Sequence, residues 1–373
     1  MENYDFIVIG GGFTGAVLAY ELIKTGVTVL LLEKDANLDN ATRYSYGGLA
    51  YWLATSDFAY ETAQKGREYH RNLSQELDAD TEFTEVDLLL TIDKEYDINL
   101  VLNNYQDFIT KPDILTVKEA CELEPLLNPN AISGALRFTH GHINPVKTMT
   151  AFHRAFLRLG GKIYYEEVIE LIMENSTIKG VKTKQNSYFS PHNILCAGWL
   201  TRKLMQQTGV NLKLYYTYEQ VIITEPVPIN LQTQVMSAVS ERLTLEQEAG
   251  KLESQWDKVG NELLPPIIDT GAIQFQDGHL CLGQITQIFP NSQAKIDLDN
   301  CEKIIRESIA KILPSLANLT GTCYNCLVAF TPNSQYLIGK IDNFKGVYTF
   351  SGFTSTLLLA PPLAKDFALT IKD

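Results

Sequence analysis

The hydrophobic pattern opens with two short apolar runs, residues 5–9 and 27–32, separated by a stretch at about 14–25 whose apolar positions recur at helical spacing. Runs this short, rich in Val, Ile and Leu, read as strands of a parallel sheet covered on both faces. Gly26 stands where the helix between them needs a left-handed stop. Further along, 57–77 reads as a helix, 86–92 as a strand, and 94–108 and 116–124 as helices, with Thr116 and Glu119 at capping-box spacing. From Asn144-Pro145 a helix runs to Leu159 and stops at Gly160-Gly161. Strands follow at 162–165, 166–173, 178–184 and 192–196, with a hairpin around Asn175. Strand character returns at 218–224 and 267–284, the second folded at the turn signal Asp277-Gly278. Between them, 241–262 is polar and helical and reads as an exposed elaboration. A helix at 299–312 ends at Pro314, and the chain closes with a strand at 346–350, a loop at 351–356 and a helix at 361–371. Pro361 and Pro362 suit the first turn of that last helix. The order predicts an α/β chain of two domains, one from residues 1–85, 141–215 and 320–373, the other from 86–140 and 216–319.

The first strand and helix are joined by Gly10-Gly11-Gly12-Phe13-Thr14-Gly15, and Glu33 closes the next strand. Gly10 permits the tight turn, Gly12 lets a pyrophosphate approach the backbone, and Gly15 lets helix and strand pack closely. The helix N-terminus adds unpaired N–H groups and a dipole that favours phosphate. Glu33 is placed to accept ribose hydroxyls and would repel a 2′-phosphate. The turn alone suits NAD and FAD equally. Late segments returning to the first domain lean toward FAD, whose flavin end needs additional walls.

A formal charge of −13 argues against a nucleic-acid surface. Acidic Glu2 and Asp5 argue against a secretory leader, and no run approaches a membrane span, so a cytoplasmic location is expected. Six cysteines in 373 residues do not form a disulfide framework. Cys323 and Cys326 make a lone C-x-x-C without the further ligands a structural zinc site needs, and no metal is expected.

Ordered motifs over nearly the whole length resemble the D-amino acid oxidase superfamily, nearest its glycine oxidase and sarcosine oxidase-like branch. Ala41-Thr42-Arg43-Tyr44-Ser45-Tyr46-Gly47-Gly48 resembles the segment that wraps the flavin, and His140-Gly141-His142-Ile143-Asn144-Pro145 resembles the family's entry to a helix. Cys196-Ala197-Gly198-Trp199 resembles the turn beneath FAD. Thr331-Pro332-Asn333, Ile338-Gly339 and Ser351-Gly352-Phe353 resemble the C-terminal signature. The resemblance implies a Rossmann-like FAD-binding domain with a second mixed-sheet α+β substrate domain. It also implies FAD contacts from Gly10, Gly12, Phe13, Thr14, Gly15, Glu33, Lys34, Thr42, Arg43, Gly47, Gly48 and Val168. Ala197, Gly198, Trp199, Gly352, Phe353, Thr354 and Ser355 complete that set.

One match to the sarcosine oxidase-like branch and three departures from the family pattern bear on chemistry. Cys326 stands five residues before Thr331, where sarcosine oxidase-like proteins carry the flavin as a thioether. Val328 occupies the position of an arginine that holds a substrate carboxylate, and an aliphatic side chain cannot make that pair. Arg43 is a candidate substitute cation. Cys281 falls where a dioxygen-activating lysine is expected, and Thr354–Leu357 replaces a glycine-rich loop. Tyr44, Tyr46, Tyr216 and Tyr218 are the candidate pocket walls, able to cage or stack on an amine. His140 and His142 lack neighbouring carboxylates in sequence and read as structural. The expected function is oxidation of the C–N bond of a small amine or amino acid derivative by hydride transfer to flavin, with dioxygen or another electron acceptor completing turnover. The rival is a flavoprotein with a structural, sensory or partner-dependent role. Oligomeric state is not set by the sequence.

Overall fold

The computed structural model describes residues 3–239, 241–333 and 336–371. Its first layer is a six-stranded sheet in the order Leu337–Lys340, Val347–Ser351, His192–Leu195, Phe6–Ile9, Val29–Glu33, Lys162–Tyr165. All neighbours pair in parallel except Leu337–Lys340 with Val347–Ser351. Phe6–Ile9 and Val29–Glu33 are buried along their full length, as continuous apolar runs with both faces covered require. One face takes helices Phe13–Lys24, Pro145–Arg158, Asp57–Leu77 and Thr356–Ile371, through Phe13, Leu18, Phe152, Phe156 and Leu358. The other takes a three-stranded sheet, whose Leu171, Ile178 and Val181 meet Ile7, Ile9 and Leu30.

Helix Pro145–Arg158 starts where the sequence places it, with Asn144 Oδ1 accepting the Lys147 N–H at 3.1 Å and Pro145 in the first turn. The capping box at Thr116 and Glu119 also forms, on helix Val117–Leu123. The segment read as a helix over 94–108 shortens to Ile98–Asn103, opened by an Asp97 cap.

The terminal helix begins at Thr356, not 361, so both prolines lie inside it. A proline cannot donate to the carbonyl four residues back, which frees those of Leu357 and Leu358. His70 Nε2 takes up the first, donating to the Leu357 oxygen at 2.7 Å. The second faces Gly66, where a methyl group would lie 2.2 Å from the Leu358 oxygen. Packing of Leu357–Ala360 against the core, with a side-chain replacement for the lost hydrogen bond, overrides the local rule.

The second layer is a nine-stranded sheet. Its order is Gly321–Phe330, Tyr215–Thr224, Leu280–Ile288, Leu264–Gln274, Gln234–Ser237, Thr84–Asp93, Ile132–His142, Gly48–Leu49, with Asp113–Leu115 beside Ile132–His142. Residues 321–330 thus belong to this sheet, and the chain returns to the first layer only after Phe330. Helix Leu298–Ile312 covers one face through Cys301, Ile305 and Ile309. Segment 241–262 is mostly exposed, as its composition predicts, but it is anchored: Leu245, Ala249 and Trp256 pack on Tyr215, Tyr216 and Phe330. Among the described residues no helix is long and apolar enough to cross a membrane.

Candidate functional site

A cavity opens at the carboxyl ends of the parallel strands, where open α/β sheets hold ligands. Its first-layer wall is built from Gly10, Gly12, Phe13, Thr14, Glu33 and Lys34, continued by Thr42, Tyr44, Val168, Ala197, Gly198 and Trp199. Gly352 and Phe353 close it from the last strand, and Asn325–Ala329 of the second sheet, with Cys326 and Val328, form the facing wall.

The glycine turn has the dimensions a dinucleotide needs. A methyl on Gly15 would lie 1.8 Å from the Gly10 oxygen, so only glycine lets this helix approach its strand. Gly12 instead leaves room, with Thr42 Oγ1 at 3.7 Å the nearest atom to a methyl built there. It caps helix Phe13–Lys24 without a side chain of its own. Thr42 Oγ1 accepts the Phe13 N–H at 3.1 Å and is held by an Asx turn, Thr42 N–H to Asn40 Oδ1 at 3.0 Å. Glu33, 6% exposed, accepts the Gly11 N–H at 2.6 Å and the Asp35 N–H at 3.0 Å. Those bonds fix its carboxylate against the turn. Beneath it His153 bonds to the Gly11 backbone, and burial pulls its imidazole down to about 4, so the ring is neutral. The cradle therefore fits FAD: a helix N-terminus whose cap residue has no side chain, a glycine surface and a fixed carboxylate lie along one cavity.

Two sequence motifs meet across the cavity, Thr331 donating its hydroxyl to the Gly352 carbonyl at 3.1 Å. Tyr44 joins the layers by stacking on Tyr324 at 4.8 Å and 22°, and its hydroxyl donates to Asp39 Oδ1 at 2.6 Å. Lys34 Nζ lies 5.7 Å from the Trp199 ring centre. Burial pushes the Cys326 thiol up, with Glu219 adding to the effect, so the nucleophilic thiolate is disfavoured. Cys323 and Cys326 pair with Ile222 and Glu219 on the neighbouring strand. Three positions apart, they point to opposite sheet faces and cannot clasp one ion. Among the described residues no group of three His, Cys, Asp or Glu side chains is gathered as a metal site.

Several expected contacts lie elsewhere. Tyr216 and Tyr218 are one residue out of phase with Thr217 and Glu219, which stand opposite Val328 and Cys326. Their rings pack on Trp256 and Phe289, and the Tyr218 hydroxyl donates to the Asn291 carbonyl at 2.7 Å. They are packing residues, not cavity walls. Tyr46 is half-buried, packed against Val221, Ile273, Phe275 and Cys281. Arg43 turns away from the cavity, Nη2 donating to the Asn37 carbonyl at 2.7 Å. Gly15 lies beneath the turn, and Gly47 and Gly48 pack against His142 and His140. Thr354 is exposed and neither it nor Ser355 lines the cavity; Thr356 does. His140 and His142 are buried and held neutral by desolvation, at about 3 and about 4, and His142 Nε2 donates to the Tyr46 carbonyl at 2.9 Å. Sequence reasoning missed Asn40, Asp39, Glu166, Asn325 and Ser351 in the lining. Of these Asn40 had a signal, an Asn two residues before Thr42 in a loop.

Residues 5–369 match the family of FAD dependent oxidoreductases. The 4-methylaminobutanoate oxidase (formaldehyde-forming) of Paenarthrobacter nicotinovorans is 23% identical over 97% of this chain, which spans 43% of that protein. Glycine oxidase of Geobacillus kaustophilus is 27% identical over 63% of this chain and 65% of its own length. The crystal structure of glycine oxidase from Geobacillus kaustophilus superposes with a TM-score of 0.80 at 19% identity, covering 100% of this chain and 94% of that one. L-proline dehydrogenase from P. horikoshii gives 0.77 at 22% identity, covering 99% of this chain and 93% of that one. With the glycine cradle, the fixed Glu33 and a match over nearly its whole length, the chain belongs to the FAD-dependent oxidoreductase family and its cofactor is FAD.

Proposed function

We propose that this chain oxidises the C–N bond of a small amine or amino acid derivative. The supporting observation is the continuity of the cavity, which runs from the dinucleotide turn at Gly10–Gly15 to a second-sheet wall carrying Cys326 and Val328. Bound FAD would supply the hydride-accepting chemistry toward the carbon attached to nitrogen. The chain's own residues bind, orient and exclude water. Glu33 would accept the ribose hydroxyls, and the Thr42 hydroxyl and the backbone N–H groups that open helix Phe13–Lys24 would hold the pyrophosphate. Trp199, Tyr44 and Phe353 enclose the remaining length. Val328 offers no charge to a carboxylate, and Arg43 is spent on backbone carbonyls, so glycine and simple D-amino acids should be poor substrates. Cys281 is fully buried, and a thiol has no cationic form, so it supplies no positive charge to favour dioxygen. That supports a dehydrogenase using another acceptor.

Anaerobic titration of the FAD-loaded protein with a panel of primary and secondary amines tests the reading. Bleaching of the flavin band by one or more amines is expected, with glycine and D-alanine slow. Persistent oxidised flavin with every amine, while dithionite still bleaches it, would overturn it in favour of a non-catalytic or partner-dependent role.

A further inference from the structure

A second cavity, of about 810 Å³, opens at the amino ends of the parallel strands and shares no lining residue with the first. Strand Phe6–Ile9 runs from its edge at Asp5 to the dinucleotide turn at Gly10, and His192–Leu195 and Val347–Ser351 run the same way. At about 3.3 Å per residue, Phe6–Ile9 alone sets the two cavities roughly 13 Å apart. The volume suits a small organic molecule. Three lysines line it, Lys179, Lys340 and Lys345, in a chain whose formal charge is −13. Among the described residues Lys340 and Lys345 make no ion pair, and Lys179 reaches only Glu174, at 4.0 Å. Asp5, the one acid among the described lining residues, is engaged by Thr28, whose N–H and hydroxyl donate to its Oδ2 at 2.7 and 2.8 Å. Unpaired charge of one sign in a recess concentrates the field and draws an anion.

The backbone fixes where two of these lysines stand. Lys340 pairs with Tyr348 across neighbouring strands, so the two side chains share a face. The Lys345 N–H donates to the Ser176 carbonyl at 2.9 Å, and its own carbonyl accepts the Ile178 N–H at 2.9 Å. Aromatic rings supply much of the remaining wall. The Tyr348 hydroxyl is hydrogen-bonded to His192 Nδ1 at 3.1 Å, and His192 stacks on Phe6 at 4.8 Å. Phe189, 37% exposed, and half-buried Phe344 also line the cavity, and among the described residues neither ring meets another aromatic. Uncovered rings of this kind stack on a planar ligand. An inorganic anion needs only the lysines, and an apolar molecule only the rings. Both features in one cavity fit a planar ring that carries a compact multiple charge.

We propose that this cavity binds an aromatic phosphate monoester, with the ring against Phe189 and Phe344 and the phosphate held by Lys340 and Lys345. A phosphate monoester carries a charge of about −1.5 to −2 at neutral pH and three acceptor oxygens, which two unpaired ammonium groups match as point charges. A monocarboxylate would leave one of them uncompensated. The site stands apart from the amine-oxidation reading and does not depend on it.

Isothermal titration of the full chain saturated with FAD tests it, because an adenine-bearing probe then finds the cofactor cradle filled. The probes are AMP, phenyl phosphate and pyridoxine 5′-phosphate, with adenosine, benzoate and inorganic phosphate as single-feature comparisons. At least one aromatic phosphate is expected to bind saturably and roughly tenfold more tightly than any of the three comparisons. The double variant Lys340→Gln, Lys345→Gln should lose roughly tenfold in that affinity, and Phe344→Ala several-fold, with FAD stoichiometry and urea midpoint unchanged. Lys118→Gln with Lys303→Gln removes the same charge from exposed helix positions outside the cavity and should leave the affinity as it was. Binding by none of the aromatic phosphates would overturn the proposal. So would inorganic phosphate or benzoate binding as tightly as they do, or equal losses in the two lysine pairs.

Discussion

His70 offers the sharpest test of the packing argument, because the ring that completes a proline-containing helix is held neutral by its burial. It is fully buried, its Nε2 donates to Leu357 at 2.7 Å, and desolvation pulls its pKa from 6.5 to about 4. A protein unfolding near pH 5.5 therefore takes up a proton at this site that the folded state refuses. The folded-state pKa is depressed, so the contribution is complete above 6.5 and is lost as pH falls from there toward about 4. Between about pH 7.5 and pH 5.5 one such histidine removes roughly 1.4 kcal/mol of stability. His140, His142 and His153 are held down by burial in the same way. Together the four would remove about 5 kcal/mol, a large fraction of a typical folding free energy. Glu219 and Glu262, whose carboxyls burial pushes up, act in the opposite direction, so the total change is not the cleanest readout. The single variant His70→Gln is cleaner, since its amide keeps an N–H for Leu357 and does not titrate. Urea midpoints of FAD-saturated protein at the two pH values should show the variant losing roughly 1.4 kcal/mol less than the parent on acidification. Identical losses in both proteins would refute the claim that His70 is held neutral in the fold.

The two glycines of the turn should fail differently. Gly12→Ala has room within the protein and should fold with a normal circular dichroism spectrum yet retain little FAD after dialysis, whereas Gly15→Ala, with its methyl 1.8 Å from the Gly10 oxygen, should lose stability as well as flavin. Full flavin retention by Gly12→Ala would place the pyrophosphate elsewhere. Because burial disfavours the Cys326 thiolate, acid precipitation should leave the yellow colour in the supernatant; colour in the pellet, lost in Cys326→Ala, would establish the thioether. Tyr44→Ala removes the stack on Tyr324 that joins the two sheets and should raise the apparent KM for amines more than the Kd for FAD, measured by flavin fluorescence.

What could be read from the sequence was what local physics decides. The first β-α-β unit was legible because a glycine turn, a continuous Val/Leu run and a terminal carboxylate leave few alternatives. The cap at Asn144 and the box at Thr116 were legible for the same reason. Long-range partners were not. Alternation placed Tyr216 and Tyr218 on one face of a strand, but which face meets the cavity depends on the pairing of Glu219 with Cys326. Pro361 and Pro362 read as a helix start because nothing in the local sequence reveals that His70, far away in the chain, caps the freed carbonyl. Segment 241–262 read as solvent-exposed, and most of it is; the burial of Glu246 and partial burial of Arg242 are intelligible only once Glu219 is seen beside them. Arg43 lies in the right loop, yet that loop's own carbonyls claim its guanidinium.

Stopped-flow anaerobic reduction by an amine deuterated at the carbons beside nitrogen tests the central claim most directly. The account predicts that the FAD-loaded protein bleaches with at least one ordinary amine of the panel, and several-fold more slowly with its deuterated form, because the C–H bond breaks in the hydride step. A flavin that no amine reduces but dithionite does would contradict it.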